Sequence, residues 1–183
     1  MVYVLLADGF EEVEALTPVD LLRRAGADVK TVGITGKTVT SSHNVPIIAD
    51  ILPEDVCFEE AEMVVLPGGM PGAINLNESE FVHKLVRYCA DNDRYIGAIC
   101  AAPSVVLGSM DLLKHKKAIC YPGMEDGMTL ATVVHQNCCV EGKIITGRAL
   151  GGAMDFALAL CTAIMGGAAA KQVADSICYV PAE

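Results

Sequence analysis

Tyr95-Ile-Gly-Ala-Ile-Cys-Ala-Ala-Pro103 begins as an uncharged apolar run, Tyr95 to Ile99, and passes without a spacer into helix-forming sequence from Ala101 to about Leu113. A strand apolar on both faces is buried on both, and a strand feeding straight into a helix is the repeating unit of a parallel sheet. The same alternation extends outward in both directions. Upstream, Val2 to Ala7 reads as a strand, and Glu11 to Gly26 as a helix with acids in its first turn, Arg23-Arg24 in its last and Gly26 as its stop. Asp28 to Ile34 is a second strand, Lys37 to Ala49 a hairpin-like piece, Met63 to Leu66 a third buried strand ending in Pro67-Gly-Gly69, and Ser79 to Asp91 an amphipathic helix. Downstream come a short strand at Ala118 to Tyr121, a hairpin from Cys138 to Thr146 turning at Glu141-Gly142, and helices over Gly152 to Met165 and Ala168 to Cys178. The pattern predicts an α/β fold: a mostly parallel sheet with helices on both faces, as one domain over residues 1–183. Ligand sites in such sheets collect at the carboxyl ends of the strands.

Composition narrows the function classes. Residues are 52% hydrophobic and mean hydropathy is +0.43, yet the uncharged stretch Phe156 to Ala170 is shorter than the roughly 18 residues a bilayer span needs and is broken by Gly166-Gly167. It reads as a buried helix. The net charge is -10, and basic residues cluster no further than the pairs Arg23-Arg24 and Lys116-Lys117. Nucleic acid and anionic membrane are therefore not expected partners. The start, Met1 to Ala7, lacks the features of a secretory signal, and the eight cysteines are dispersed through apolar patterns with no CxxC pair. Both observations point to a cytoplasmic protein with reduced thiols. No His and Cys stand at zinc-ligand spacing, so no metal is expected. The vicinal pair Cys138-Cys139 has two readings, a redox switch or plain packing.

Three segments carry chemistry. Cys100 stands at a strand-to-helix junction among small residues, the setting of a nucleophile elbow, where N–H groups at a helix start favour thiolate over thiol. Gly68 and Gly69 end the neighbouring strand and offer N–H groups unobstructed by side chains, suited to an oxyanion or an oxidised sulfur. Glu14 precedes Leu21 and Leu22 by seven and eight residues, on their apolar face of the first helix. Buried there, its carboxyl is expected to have a raised pKa and to stay protonated, so that it donates a hydrogen bond to a thiolate rather than repelling it. Each segment alone also has an ordinary structural reading: a buried cysteine at a strand end, a Gly-Gly turn, a solvated helix-start acid.

Together the motifs resemble the ThiJ/PfpI superfamily, in particular the branch of the parkinsonism-associated deglycase and its bacterial relatives. The resemblance rests on Leu6-Ala-Asp-Gly-Phe-Glu-Glu-Val-Glu14, Thr17-Pro-Val-Asp20, Arg23-Arg-Ala-Gly26, Val64-Val-Leu-Pro-Gly-Gly69 with Gly72-Ala73 and Asn75-Leu76, and Ala98-Ile-Cys-Ala-Ala-Pro103. It implies a flavodoxin-like doubly wound fold, a homodimer and no cofactor. Cys100 would be the oxidisable nucleophile, Glu14 its protonated partner, and the N–H groups of Gly69 and Ala101 would line a pocket bordered by Gly68, Tyr121 and Arg24. Relatives are credited with glyoxalase activity on methylglyoxal, protein deglycase activity, and redox sensing or chaperone-like protection under oxidative stress. Two departures stand out. Tyr121 before Pro122 replaces a family histidine, and Arg148-Ala-Leu-Gly-Gly152 replaces a Gly-Pro-Gly pattern at the pocket edge.

The expected activity is a glyoxalase or deglycase type acting on small reactive carbonyls. The alternative is a redox sensor using the same cysteine. A peptidase or amidotransferase needs a Cys-His pair, but Ala101 follows the cysteine, and neither His115 nor His135 is followed two residues later by Glu. His43, His83 and His135 are expected at surface or hairpin positions.

Overall fold

The computed structural model describes residues 1–180; the last three residues of the expected 1–183 unit lie outside the described residues. In chain order the first elements are β1 (Val2–Leu6), α1 (Glu12–Arg24), β2 (Val29–Gly33), the hairpin β3 (Thr38–Thr40) and β4 (Pro46–Ile48), and β5 (Met63–Leu66). Then come α2 (Gly72–Glu78), α3 (Glu80–Asp91), β6 (Tyr95–Ile99), β7 (Lys117–Ala118), β8 (Thr132–Val133), β9 (Cys138–Glu141), β10 (Ile144–Gly147), α4 (Ala153–Met165) and α5 (Gly167–Ser176). The main sheet has the order β2-β1-β5-β6-β10-β9. Its pairings are parallel except for the edge pair β9–β10, where Ile144 faces Glu141. This is the doubly wound, flavodoxin-like α/β arrangement, whose strand order reverses between β1 and β5.

All residues of β1, β5 and β10 are buried, as continuous apolar runs require. One apolar layer, including Leu76, Leu85, Val106 and Leu107, covers one face of the sheet, and a second, including Leu22, Phe156 and Leu160, covers the other. The approach of α4 depends on two glycines in the strands beneath it. A Cβ on Gly97 would come 2.8 Å from Leu160 Cδ2, and one on Gly147 would come 3.1 Å from Phe156 Cδ2. Helix α1 has acids in its first turn and Arg23 and Arg24 in its last, and stops at Gly26 with φ +86°. Its start therefore stands at the carboxyl edge of the sheet and its end at the amino edge.

One element differs from expectation. The helix predicted over Ala101 to about Leu113 is a six-residue π-helical segment, Pro103–Gly108, followed by turns to Ser109 and beyond. Gly108 lies against another loop, so that a Cβ there would be 2.0 Å from the Gly127 carbonyl oxygen, and Ser104 Oγ donates to the Met124 carbonyl at 2.6 Å. This packing sets the path of the chain at a point where the local pattern favours a longer helix.

Candidate active site

The loops after β1, β5 and β6 meet at the carboxyl edge of the sheet, and backbone hydrogen bonds join them. Cys100 follows β6 directly, at φ +64°. A left-handed conformation in a residue bearing a side chain costs about 1–3 kcal/mol and is held only by its surroundings. Here the Cys100 N–H donates to the Gly147 carbonyl at 3.0 Å and the Cys100 carbonyl accepts from the Tyr121 N–H at 2.8 Å. The sharp elbow presents the sulfur half-buried. The N–H groups of Gly69 and Ala101 hydrogen-bond to it.

Glu14, in the first turn of α1, is 1% exposed. Its Oε2 accepts from the Gly68 N–H at 3.1 Å, its carboxyl accepts from the Leu150 N–H, and it shares a hydrogen bond with Cys100. Burial raises its pKa to about 7, assisted by nearby Glu11, while the three hydrogen bonds act the other way. Burial also pushes the Cys100 thiol up to about 12; an ionised Glu14 pushes in the same direction, and the Gly69 and Ala101 N–H groups oppose both. Because the two groups share a hydrogen bond, the titration steps belong to the pair. One proton leaves near neutral pH, and the second is held until the pH is far higher. This corrects the simple expectation of a thiolate favoured by a long helix start. The helical segment is short, the sulfur is desolvated, and the thiolate form requires the remaining proton to sit on Glu14.

Gly68 makes room for the pair. A Cβ there would lie 2.6 Å from both Cys100 Cβ and Glu14 Oε2, and 2.9 Å from the Ile99 carbonyl oxygen. Gly68→Ala is therefore expected to force the two side chains apart and to cost about 1–3 kcal/mol of stability, read as a lowered urea midpoint. Gly69 has φ +88°, and a Cβ on it would meet the Glu11 nitrogen at 2.4 Å.

The structure brings together Cys100, Glu14, Gly68, Gly69 and Ala101. Tyr121 is tied to Cys100 through its backbone, and its half-exposed side chain borders an open cavity of about 410 Å³ with Asn137, Arg148 and Gly152. Arg24 is a correction. It lies ten residues beyond Glu14, about 15 Å along α1, and its Nε donates to Asp20 at 2.9 Å. Within this chain it does not border the site. Leu150 was not foreseen as a contact of Glu14: its role is played by a backbone N–H in the loop after β10, and a backbone contact carries no side-chain signature.

The remaining sequence features fall in place around this centre. Cys138 and Cys139 are free and adjacent on β9, where successive side chains point to opposite faces, and Cys139 is buried. His43 sits in the β3–β4 turn, its Nδ1 3.1 Å from Glu12 Oε1 and 3.5 Å from Glu11 Oε2, and the hydrogen bond with Glu12 raises its pKa. These three side chains are the one group among the described residues able to converge on a metal ion. No histidine is hydrogen-bonded to Cys100 among the described residues.

Comparison with known proteins bears on family and fold. The DJ-1/PfpI family model matches residues 1–163. The Arabidopsis thaliana protein DJ-1 homolog B is 34% identical over 182 residues, 98% of this chain, although the chain spans only 42% of that protein's length. The Caenorhabditis elegans glutathione-independent glyoxalase DJR-1.2 is 28% identical over 158 residues, covering 85% of this chain and 83% of the worm protein. Among solved structures, that of Drosophila melanogaster DJ-1beta superposes with a TM-score of 0.93 at 33% identity over 98% of both chains. With its fold and nearly nine-tenths of its length matched in this way, the chain belongs to the DJ-1/PfpI family.

Proposed function

We propose that this protein is a cofactor-independent enzyme of the glyoxalase or deglycase type, converting small reactive carbonyls such as methylglyoxal to hydroxy acids. The observation that carries the reading is the elbow geometry: the Cys100 sulfur, at φ +64°, stands against the buried Glu14 carboxyl, whose pKa burial raises, and beside the Gly69 and Ala101 N–H groups. The worm relative named as a glutathione-independent glyoxalase supports it.

In the reactive form the charge is on sulfur and the proton on Glu14. The thiolate attacks the aldehyde carbon, a C–S bond forms, and the carbonyl π electrons move to oxygen, which the Gly69 and Ala101 N–H groups stabilise. Glu14 donates its proton to that oxygen, giving a hemithioacetal. The resulting carboxylate removes the hydrogen on the former aldehyde carbon, and the electron pair left behind forms an enediolate with its charge on the neighbouring oxygen. Glu14 returns that proton to the neighbouring carbon while the hydroxyl proton of the first carbon passes to the neighbouring oxygen, leaving a thioester, which water hydrolyses to the hydroxy acid and the free thiol. The former aldehyde carbon is oxidised and its neighbour reduced, so the only co-reactant is water. Glu14 is the proton carrier in this scheme because Tyr121 stands where the family histidine would act.

The test is disappearance of methylglyoxal and appearance of lactate with purified protein and no added thiol. Lactate formation no faster than in buffer would remove the enzymatic reading. A second reading, a redox sensor, rests on the same feature: two N–H donors and a protonated carboxyl are suited to hold a Cys100 sulfinate. A homodimer in the cytoplasm completes the proposal. The exposed Val13 and Met154 border a shallow groove on α1 that a second copy would cover, and no helix among the described residues is long and apolar enough to cross a membrane.

A further inference from the structure

At the opposite edge of the sheet, a cavity of about 650 Å³ opens between the end of α3, the starts of β6 and β10, and the segment before β7. Arg87, Arg94, Lys116 and Lys143 line it. Its two acids, Asp91 and Asp93, are outnumbered there, whereas the chain as a whole has 23 acids to 13 bases. The charge balance of the chain is inverted in this cavity. Asp93 is 3.7 Å from Lys143, and Arg87 donates to the Met110 carbonyl at 3.1 Å. Among the described residues, Arg87, Arg94 and Lys116 are in no ion pair.

Arg94 supplies a second observation. Its Nε is the one buried side-chain nitrogen or oxygen among the described residues without a hydrogen-bond partner. The desolvation of that one nitrogen is an uncompensated cost, and the rest of this partly buried side chain lines the cavity, where a guanidinium is suited to an anionic ligand. The side chains of Ile96, Leu112 and Ile144 add an apolar wall. The cavity thus combines a fork-shaped cation, point charges from two lysines and a non-polar surface, at a volume suited to one small ligand.

We propose that this amino-edge cavity binds a nucleotide-sized organic phosphate, with Arg94, Arg87 and Lys116 on the phosphates and the apolar wall against the organic moiety. The site is separate from the thiol centre. Arg94 and Cys100 flank the five-residue strand β6 at its two ends, about 20 Å apart at the usual rise per residue.

Calorimetric titration with ATP and with inorganic pyrophosphate, at low ionic strength and without divalent cations, tests the proposal. Saturable ATP binding is expected, at least threefold tighter than pyrophosphate and unchanged in Cys100→Ser. Lys116→Glu, a surface change, and Arg94→Ala, checked for folding by circular dichroism, are each expected to weaken ATP at least fivefold. Absence of saturable ATP binding, equal affinity for pyrophosphate, or wild-type affinity in a folded Lys116→Glu protein would overturn it.

Discussion

Cys100→Ser is expected to lower kcat/KM for methylglyoxal by about a thousandfold or more, the loss characteristic of removing a covalent nucleophile. Serine is nearly isosteric, so the elbow keeps its backbone bonds to Gly147 and Tyr121. A hydroxyl cannot lose its proton to a group that titrates near pH 7. The substitution therefore removes the reaction while leaving the fold, and lactate release measured beside an unchanged circular dichroism melt separates the two. Residual activity within tenfold of wild type would mean that some other group reacts with the carbonyl.

Glu14→Gln is expected to lower kcat by about 10²–10⁴-fold, the range for loss of a positioned general acid–base. The amide can still face the sulfur and accept from Gly68, but it can neither give up nor take back a proton. Stability should respond as well, with a definite sign. The folded Cys100–Glu14 pair holds its first-lost proton more tightly than the carboxyl does in the unfolded chain, so the pair favours folding below about pH 4.5, and that advantage is lost as pH rises through about 7. A shift from 4.5 to about 7 corresponds to about 3 kcal/mol. Urea denaturation between pH 4.5 and 8 should accordingly show wild type losing stability relative to Glu14→Gln as pH rises. Parallel profiles for the two proteins would place Glu14 in contact with solvent rather than in the site.

The layered fold was legible because its central strands β1, β5 and β6 are uncharged runs buried almost throughout. Met63–Leu66 and Tyr95–Ile99 appear at the positions their apolar runs mark. Glu14 was legible for the related reason that an acid on the apolar face of an amphipathic helix has nowhere to go but inside. The segment after Cys100 was not, since its short π-helical turn depends on Gly108 meeting Gly127, a contact between loops that no local pattern encodes. Leu150 escaped notice because a backbone N–H makes its bond to Glu14. Arg24 was misplaced through resemblance alone, although the rise of a helix already puts ten residues about 15 Å from Glu14. The basic cavity draws on three separate stretches of the chain, so only the folded chain assembles it.

The most direct measurement is the alkylation rate of Cys100 by iodoacetamide as a function of pH, followed on its own peptide by mass spectrometry. If the proton shared by the pair resides on Glu14 and the charge on sulfur, the rate climbs with a midpoint near pH 7 and then levels off. A rate that stays low through neutrality and rises only in strongly alkaline solution would put the charge on the carboxylate, leave the sulfur a thiol, and contradict the account.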